Sequence, residues 1–567
     1  MSSHDDDGQG VIPLSRFRAA LARARRGHRA EAILADPHAA RLVPTLPVQE
    51  LYYAIKEVGL EDARELVALA SPAQIRGFVD LDAWHRDTLD SKKVQEWLDA
   101  ALDAGPLKLK SVIEGLDPEL VALHIRRGAN VYDLTLEEPL PEEPAGHFYP
   151  TPDGFFVLDV LAEGDEGRSV EHMVDYLYRA DHGLARQVLM SARAELTSEL
   201  EEWTFRWRAG RMADLGYVDY YEALSVYAFL EPASVRLDER SLPSPAQAGD
   251  GEPTTMLPAQ LAAVLDAESF FARALGTISD DALLDRLQSL LLLLVNKAMS
   301  ADTVEPGDVD GAQAVLGRAV GYLSMGLEYL AQPATGEEAV VRAGLALATV
   351  APERLFRVGV SLVAQLKRLA EALRKHGLLV VPPLAVPLAD GGAAELLAAL
   401  GEKRPQIPRS LGGEPGKGVR PFRSLADVAR AALAIEELSQ VGPAVFHGLG
   451  LDRAGFARIC IRTRALRPEI RYGTLIRTAA ANLALGNGLV AEPLHARHAA
   501  EPPMVDAAAT TEALSERLKA RGLAVPAALP RWISTWLGEL PVAFSRKDGV
   551  LWKFTWLREG KPLRSRF

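Results

Sequence analysis

Three times in the N-terminal part of the chain, a side chain able to accept a hydrogen bond stands directly before a proline: Asp36-Pro37, Ser71-Pro72 and Asp117-Pro118. Such a pair starts a helix. The cap oxygen takes a free amide of the first turn, and proline at the first helical position gives up no hydrogen bond. Ile75, Phe78 and Val79 follow the second pair at helical spacing, and Val121 and Ile125 follow the third. Leu66 and Leu69 precede one copy; Val112, Ile113 and Leu116 precede the other. The unit is a short helix, a capped turn and another helix. The prolines lie 35 and 46 residues apart, so the repeat is degenerate.

The rest of the chain continues the helical pattern. Ala and Leu are abundant and aromatics make up 7%, a balance that favours helices over strands. Two β signals interrupt it. Residues 147–160 carry β-favouring side chains on both sides of the turn Pro152-Asp153-Gly154. Near the C-terminus, Asp548-Gly549 precedes a stretch in which Trp552, Phe554 and Trp556 alternate to one face. The expected fold is therefore all-α, mainly helical, with a degenerate helical repeat at the N-terminus and two short β-hairpins. Expected divisions are a superhelix over 1–136, a hairpin plus aromatic-rich helical unit over 145–240, and a linker over 241–256. A central helical unit over 257–385, a Pro/Gly-rich connection over 386–424 and a C-terminal helical unit over 425–567 complete the chain. On the central unit, Leu355, Val358, Leu362, Leu366 and Leu369 are expected on one buried side.

Residues 46–134, with Leu69-Ala-Ser-Pro-Ala-Gln-Ile75 and Leu116-Asp-Pro-Glu-Leu120, resemble the N-terminal helical superhelix of MgtE-type magnesium transporters. A related repeat occurs in the flagellar motor switch protein FliG. The whole chain is similar to members of an uncharacterised bacterial family that carry this repeat at the N-terminus. The resemblance implies a superhelix used for regulation or protein contact. It does not imply transport, because the transporter's membrane helices have no counterpart here.

Charge and cysteine content narrow the function classes. The net charge of −13 repels phosphate backbones, so binding nucleic acid requires a local basic patch. The single cysteine, Cys460, excludes an internal disulfide and any multi-cysteine zinc site, and reads as a small apolar core residue. The longest aliphatic run, Leu290 to Val295, is six residues against the roughly 20 needed to cross a bilayer. No secretory signal opens the chain, so a cytoplasmic location is expected.

Catalytic signatures are missing: no His-Glu-x-x-His, no Cys-x-x-Cys and no Gly-x-Ser-x-Gly occurs. Gly412-Gly-Glu-Pro-Gly-Lys-Gly418 approaches a phosphate loop. Its first glycine falls one residue short, and Gly418 stands where the magnesium-binding hydroxyl belongs. Gly448-Leu-Gly450 lacks a third glycine and reads as a loop.

Three clusters carry what chemistry the sequence offers. Aromatic density peaks from Trp203 to Phe229, where Arg206, Arg208 and Arg211 are interleaved. Tyr217, Tyr220, Tyr221, Leu224 and Tyr227 follow helical spacing there and read as a core or interface face, with stacking of a nucleotide as the functional alternative. The candidate ligand pocket is Trp203, Arg206, Trp207 and Tyr221 with His172 and Asp175, the last two sharing a helix face suited to a divalent ion. A basic N-terminal stretch runs from Arg16 to Arg29. A second, with 14 Lys and Arg against 7 Asp and Glu over residues 401–477, concentrates at Arg458, Arg462, Arg464, Arg467 and Arg471 and is the candidate polyanion contact.

The favoured expectation is a non-catalytic intracellular scaffold or regulatory protein with a protein partner and no cofactor. The alternatives are a small-ligand or metal sensor or enzyme near 172–229, and polyanion binding through 401–477. Nucleic acid and anionic membrane surfaces are the less favoured partners.

Overall fold

A computed structural model describes residues 28–85, 87–136, 140–161, 165–237, 269–376, 378–382, 387–463, 470–492 and 504–538. The fold is mainly helical with small antiparallel β elements, as the sequence predicts. The hairpin expected near residue 550, the linker over 241–256 and Arg16 to Arg26 lie outside the described residues. The chain divides into two compact units, Met1–Val358 and Gly359–Phe567.

The first unit opens with helices α1 (Arg29–Leu34), α2 (Ala39–Leu42), α3 (Val48–Val58), α4 (Arg64–Leu69) and α5 (Pro72–Asp82). A two-stranded ribbon, β1 (Trp84–His85) and β2 (Thr88–Leu89), leads to α6 (Ser91–Asp103), α7 (Pro106–Gly115) and α8 (Pro118–Gly128). Each proline-led start behaves differently. Ser71 forms a complete capping box with Gln74: its Oγ accepts from the Gln74 amide at 3.2 Å, and Gln74 Oε1 accepts from the Ser71 amide at 2.7 Å. Asp36 instead accepts from the His38 amide at 2.8 Å, so α2 begins later than the proline implies. Asp117 makes no side-chain cap; an arginine far along the chain takes its carboxylate.

The core of these helices is aromatic as well as aliphatic. Phe78 and Trp97 lie 5.0 Å apart between ring centroids, and Tyr52 joins them at 6.1 and 6.3 Å. Asp82 satisfies their polar edges, accepting from Trp97 Nε1 at 3.2 Å and from the Tyr52 hydroxyl at 3.1 Å.

The predicted hairpin is present as β4 (His147–Pro150) and β5 (Phe156–Val160), turning at Gly154 with φ +71°. A strand not anticipated, β3 (Ala129–Asp133), pairs antiparallel with β5 and places it in the centre of a three-stranded sheet. Helices α9 (Asp165–Ala180), α10 (His182–Ala194) and α11 (Thr197–Asp214) return from the sheet onto the repeat: α9 packs on α7 and α8, α10 on α8, and α11 on α8 and α5. A short α12 (Tyr220–Ala223) and a 3₁₀ turn end this run. The unit closes with α13 (Phe270–Leu275), α14 (Asp281–Asp302), α15 (Val309–Ala331), α16 (Gly336–Thr349) and the start of α17 (Pro352–His376). Gly326 of α15 sits against the backbone of Leu355; a Cβ there would stand 2.1 Å from its carbonyl oxygen. On α17, Leu355, Val358 and Leu366 are buried as expected, but Leu369 is exposed and Val363 and Ala370 complete the buried stripe.

The second unit contains α18 (Gly391–Gly401), the ribbon β6 (Ile407–Pro408) and β7 (Val419–Arg420), and α19 (Leu425–Gly448). It ends with α20 (Arg453–Thr463), α21 (Tyr472–Ala484), α22 (Ala507–Ala520) and α23 (Leu529–Gly538). Tyr472 and Trp536 lie at the centre of its core, and Gly442 leaves room for the Tyr472 hydroxyl, which donates to the Leu378 carbonyl at 2.7 Å.

Candidate functional site

The aromatic-rich segment does not form the continuous buried helix that its tyrosine spacing suggests. Helix α11 stops at Asp214, and Gly216 turns the chain with φ +90° beside the backbone of Leu293, where a side chain would clash at 2.9 Å. Tyr217 then enters the core and Tyr227 is half-buried, while Tyr220 and Tyr221 face outward, Tyr221 being 81% exposed.

Helix α11 has a buried side and an exposed side. The buried face consists of Leu200, Thr204 and Met212, with Arg211 beside them. Arg211 forms a double fork: Nε and Nη2 donate to Asp80 at 2.6 and 2.9 Å, and Nη1 and Nη2 to Asp117 at 3.2 and 2.6 Å. Burial alone lowers the pKa of a guanidinium; the two carboxylates outweigh it and raise that of Arg211. Arg208 donates to the Asp80 carbonyl and lies over the Trp84 ring at 5.0 Å. Two of the three interleaved arginines thus fasten α11 to the repeat and are not available to phosphate.

The outer face carries the indoles. Trp203 is 54% exposed and Trp207 57% exposed, one turn apart on the same side, with Arg206 exposed next to them. Gly210 continues this side, and a Cβ added there meets nothing within 4 Å. A glycine inside an exposed helix costs about 1 kcal/mol relative to alanine, and the chain's own packing does not require this one. Phe205 faces the other way and packs edge-on against Trp84 at 6.4 Å.

The remaining residues of the candidate pocket lie elsewhere. His172 is exposed on α9 with its ring 6.0 Å from Tyr176, and Asp175 accepts from the Tyr149 hydroxyl at 2.7 Å. Asp175 thus faces β4 and His172 lies beside Tyr176 on its own helix, whereas the indoles sit on a helix that packs on α5 and α8. Among the described residues no group of three or more His, Cys, Asp or Glu is placed to hold a metal ion.

A small cavity of about 30 Å³ lies in the first unit, lined by Arg29, Tyr53, Glu57, Asn296, Met299 and Gln313 among others. It has room for one or two waters, far below the few hundred Å³ of a ligand site. Arg29, expected on a basic surface, is buried here in an ion pair with Glu57 at 3.0 Å. Around it, Gln49 donates to the Tyr217 hydroxyl at 3.1 Å and receives Asn296 Nδ2 at 3.0 Å, and burial lifts the Tyr53 hydroxyl to about 12. This network joins α3 to α14 and is structural.

In the second unit the basic cluster is less open than the sequence suggests. Arg458 is exposed on α20, but Arg471 donates to the carbonyls of Pro387 and Ala389 and holds that connection in place. The Arg462 side chain, Arg464 and Arg467 lie outside the described residues. Cys460 is half-buried, and burial raises its thiol pKa. The glycine-rich loop after β6 is not an empty phosphate cradle. The Arg420 guanidinium fills it, 2.4 Å from where a Cβ on Gly412 would stand, and donates to the Gly412 carbonyl at 2.8 Å. Sequence reasoning passed over this arginine; the signal was Asp427 seven residues on, just past the Ser424 helix start. A groove of about 650 Å³ with exposed walls lies beside the ribbon, lined by Glu395, Glu402, Lys403, Arg404, Gln406 and Val419.

No described helix is long and apolar enough to cross a membrane. A family model described as "Family of unknown function (DUF6178)" matches residues 9–541, and the protein belongs to that family. No curated protein and no solved structure matches the chain.

Proposed function

We propose that this protein is a non-catalytic cytoplasmic scaffold or regulatory protein that binds a protein partner through the outer face of α11. In this reading the N-terminal helices form a superhelix of the kind seen at the N-terminus of MgtE-type transporters and serve as a rigid frame. The observation that carries the proposal is the indole pair: Trp203 and Trp207 are more than half exposed on a helix that Arg211, one turn beyond Trp207, fixes to Asp80 and Asp117. Large apolar side chains held rigidly at a surface lose little conformational entropy on binding, and Trp and Arg are enriched among residues that dominate interfaces. Covering the exposed half of each indole, roughly 100 Å² apiece, is worth about 2–3 kcal/mol per ring. The open notch at Gly210 admits an aliphatic or aromatic side chain of the partner against Trp207. No comparable observation favours the ligand or metal pocket near 172–229.

A photo-crosslinking amino acid in place of Arg206 tests this in the full-length protein. The expected result is one discrete crosslinked species that disappears when Trp203 and Trp207 are both changed to Ala. Absence of a discrete species, together with a loss of several kcal/mol of stability in the double variant, would show that the indoles serve the chain's own fold.

A further inference from the structure

The glycine-rich loop of the second unit holds an arrangement independent of the α11 face. Residues 409–418 connect β6 to β7, and Glu414 lies near their middle. Three guanidinium groups converge on its carboxylate. Oε1 is met by Arg420 Nε at 2.9 Å and by Arg423 Nη1 at 2.8 Å, and Oε2 by Arg409 Nη1 at 2.9 Å. A fourth guanidinium, Arg430, donates to Asp427 Oδ1 at 2.6 Å. Asp427 is buried, takes both Nη groups of Arg420 at 2.6 and 3.0 Å, and receives the Arg423 amide at 2.9 Å. These contacts hold the Asp427 carboxyl below its ordinary range even though burial pushes it up.

Charge and loop geometry separate the two carboxylates. Asp427 is fixed in the first turn of α19 and balances Arg420. Glu414 is carried by a loop tip whose flanking glycines, Gly413 and Gly416, have positive φ of +80° and +106° and nothing within 4 Å of a Cβ. Four guanidiniums against two carboxylates leave a local excess of two positive charges in a chain whose net charge is −13. The arginines that share Glu414 with Arg420 reach water: Arg423 is 59% exposed and Arg409 43%. A monoanion on the loop tip therefore occupies a position where a tetrahedral dianion would halve the excess, from two to one, and accept from several N–H groups at once.

We propose that Arg409, Arg423 and Arg430 form a site for a small phosphate-class dianion, which Glu414 occupies in the free protein and vacates when the anion binds. Arg420 is the buried floor of the site and Asp427 keeps it in position. The interaction is ionic, with no bond made or broken, and Glu414 acts as an intramolecular competitor.

Isothermal titration of the full chain with inorganic phosphate, at constant ionic strength, tests the site. The expected order is weak saturable binding to the wild type and about tenfold tighter binding to Glu414→Gln, since the competitor's charge is gone. Binding is lost in Arg423→Gln and in the double variant Glu414→Gln/Arg423→Gln. Affinity for glycerol phosphate is expected to fall as the pH drops through about 6, where a phosphate monoester becomes a monoanion. Glycerol phosphate and vesicles containing phosphatidic acid separate two sources of the same group. Equal affinity for both assigns a free monoester, and much tighter vesicle binding assigns a lipid headgroup. Glu414→Gln binding no more tightly than wild type, or Arg423→Gln binding as well as wild type, would overturn the proposal. Arg423→Gln changes an exposed side chain and reads the site even where Glu414→Gln disturbs the loop.

Discussion

His124 on α8 is buried, and its neighbours determine its proton. The Ser169 hydroxyl donates to Gln95 Oε1 at 3.2 Å, so at 3.1 Å it accepts from His124 Nε2, which leaves Nδ1 as the unprotonated nitrogen with no partner among the described residues. Protonating Nδ1 would bury a charge without a hydrogen bond. Burial accordingly pushes this imidazole down to about 4, and the nearby Arg127 charge pushes the same way. Because the folded pKa is depressed below the ordinary 6.5, the unfolded chain binds the proton first. Stability should be full above about 6.5 and fall as the pH drops from there to 4, by about 3 kcal/mol from this residue. Urea denaturation at several pH values measures it, and His124→Gln should remove that part of the slope. An unchanged slope would place the titration elsewhere. Nothing in the local sequence showed this histidine to be buried, since Ser169, which holds it, lies 45 residues away on α9.

Helix α11 shows which parts of an element are legible. Its two tryptophans could be identified from spacing as a patch, and their exposure could not. The segment's tyrosines read as a helical stripe because they recur at the right interval, yet Gly216 was a visible stop signal that outweighs periodicity. Arg211 read as one of three loose arginines, because its partners Asp80 and Asp117 are 131 and 94 residues away. Ser71 and Gln74 were legible because a capping box is local. Arg211→Met strands Asp80, which is 2% exposed, beside Asp117, and should cost about 3 kcal/mol in denaturant titration. It should also accelerate amide exchange along α11. A cost below about 1 kcal/mol would mean that α11 is held by its apolar face alone.

Across the whole molecule, helical content and the first hairpin follow from composition and turn chemistry, while the third strand and the buried arginines depend on contacts distant in sequence. Family membership extends over residues 9–541 and assigns no activity. Hydroxyl-radical footprinting reads directly whether the α11 indoles are the partner-facing surface proposed above. In the purified chain, Trp203 and Trp207 should oxidise far faster than Trp97 and Trp536, which are nearly fully buried. In cells expressing the same chain, Trp203 and Trp207 should be selectively protected while Tyr221 and the other exposed residues keep their rates. Slow oxidation of both indoles in the purified chain, or equal oxidation in the two settings, would contradict a partner-facing role.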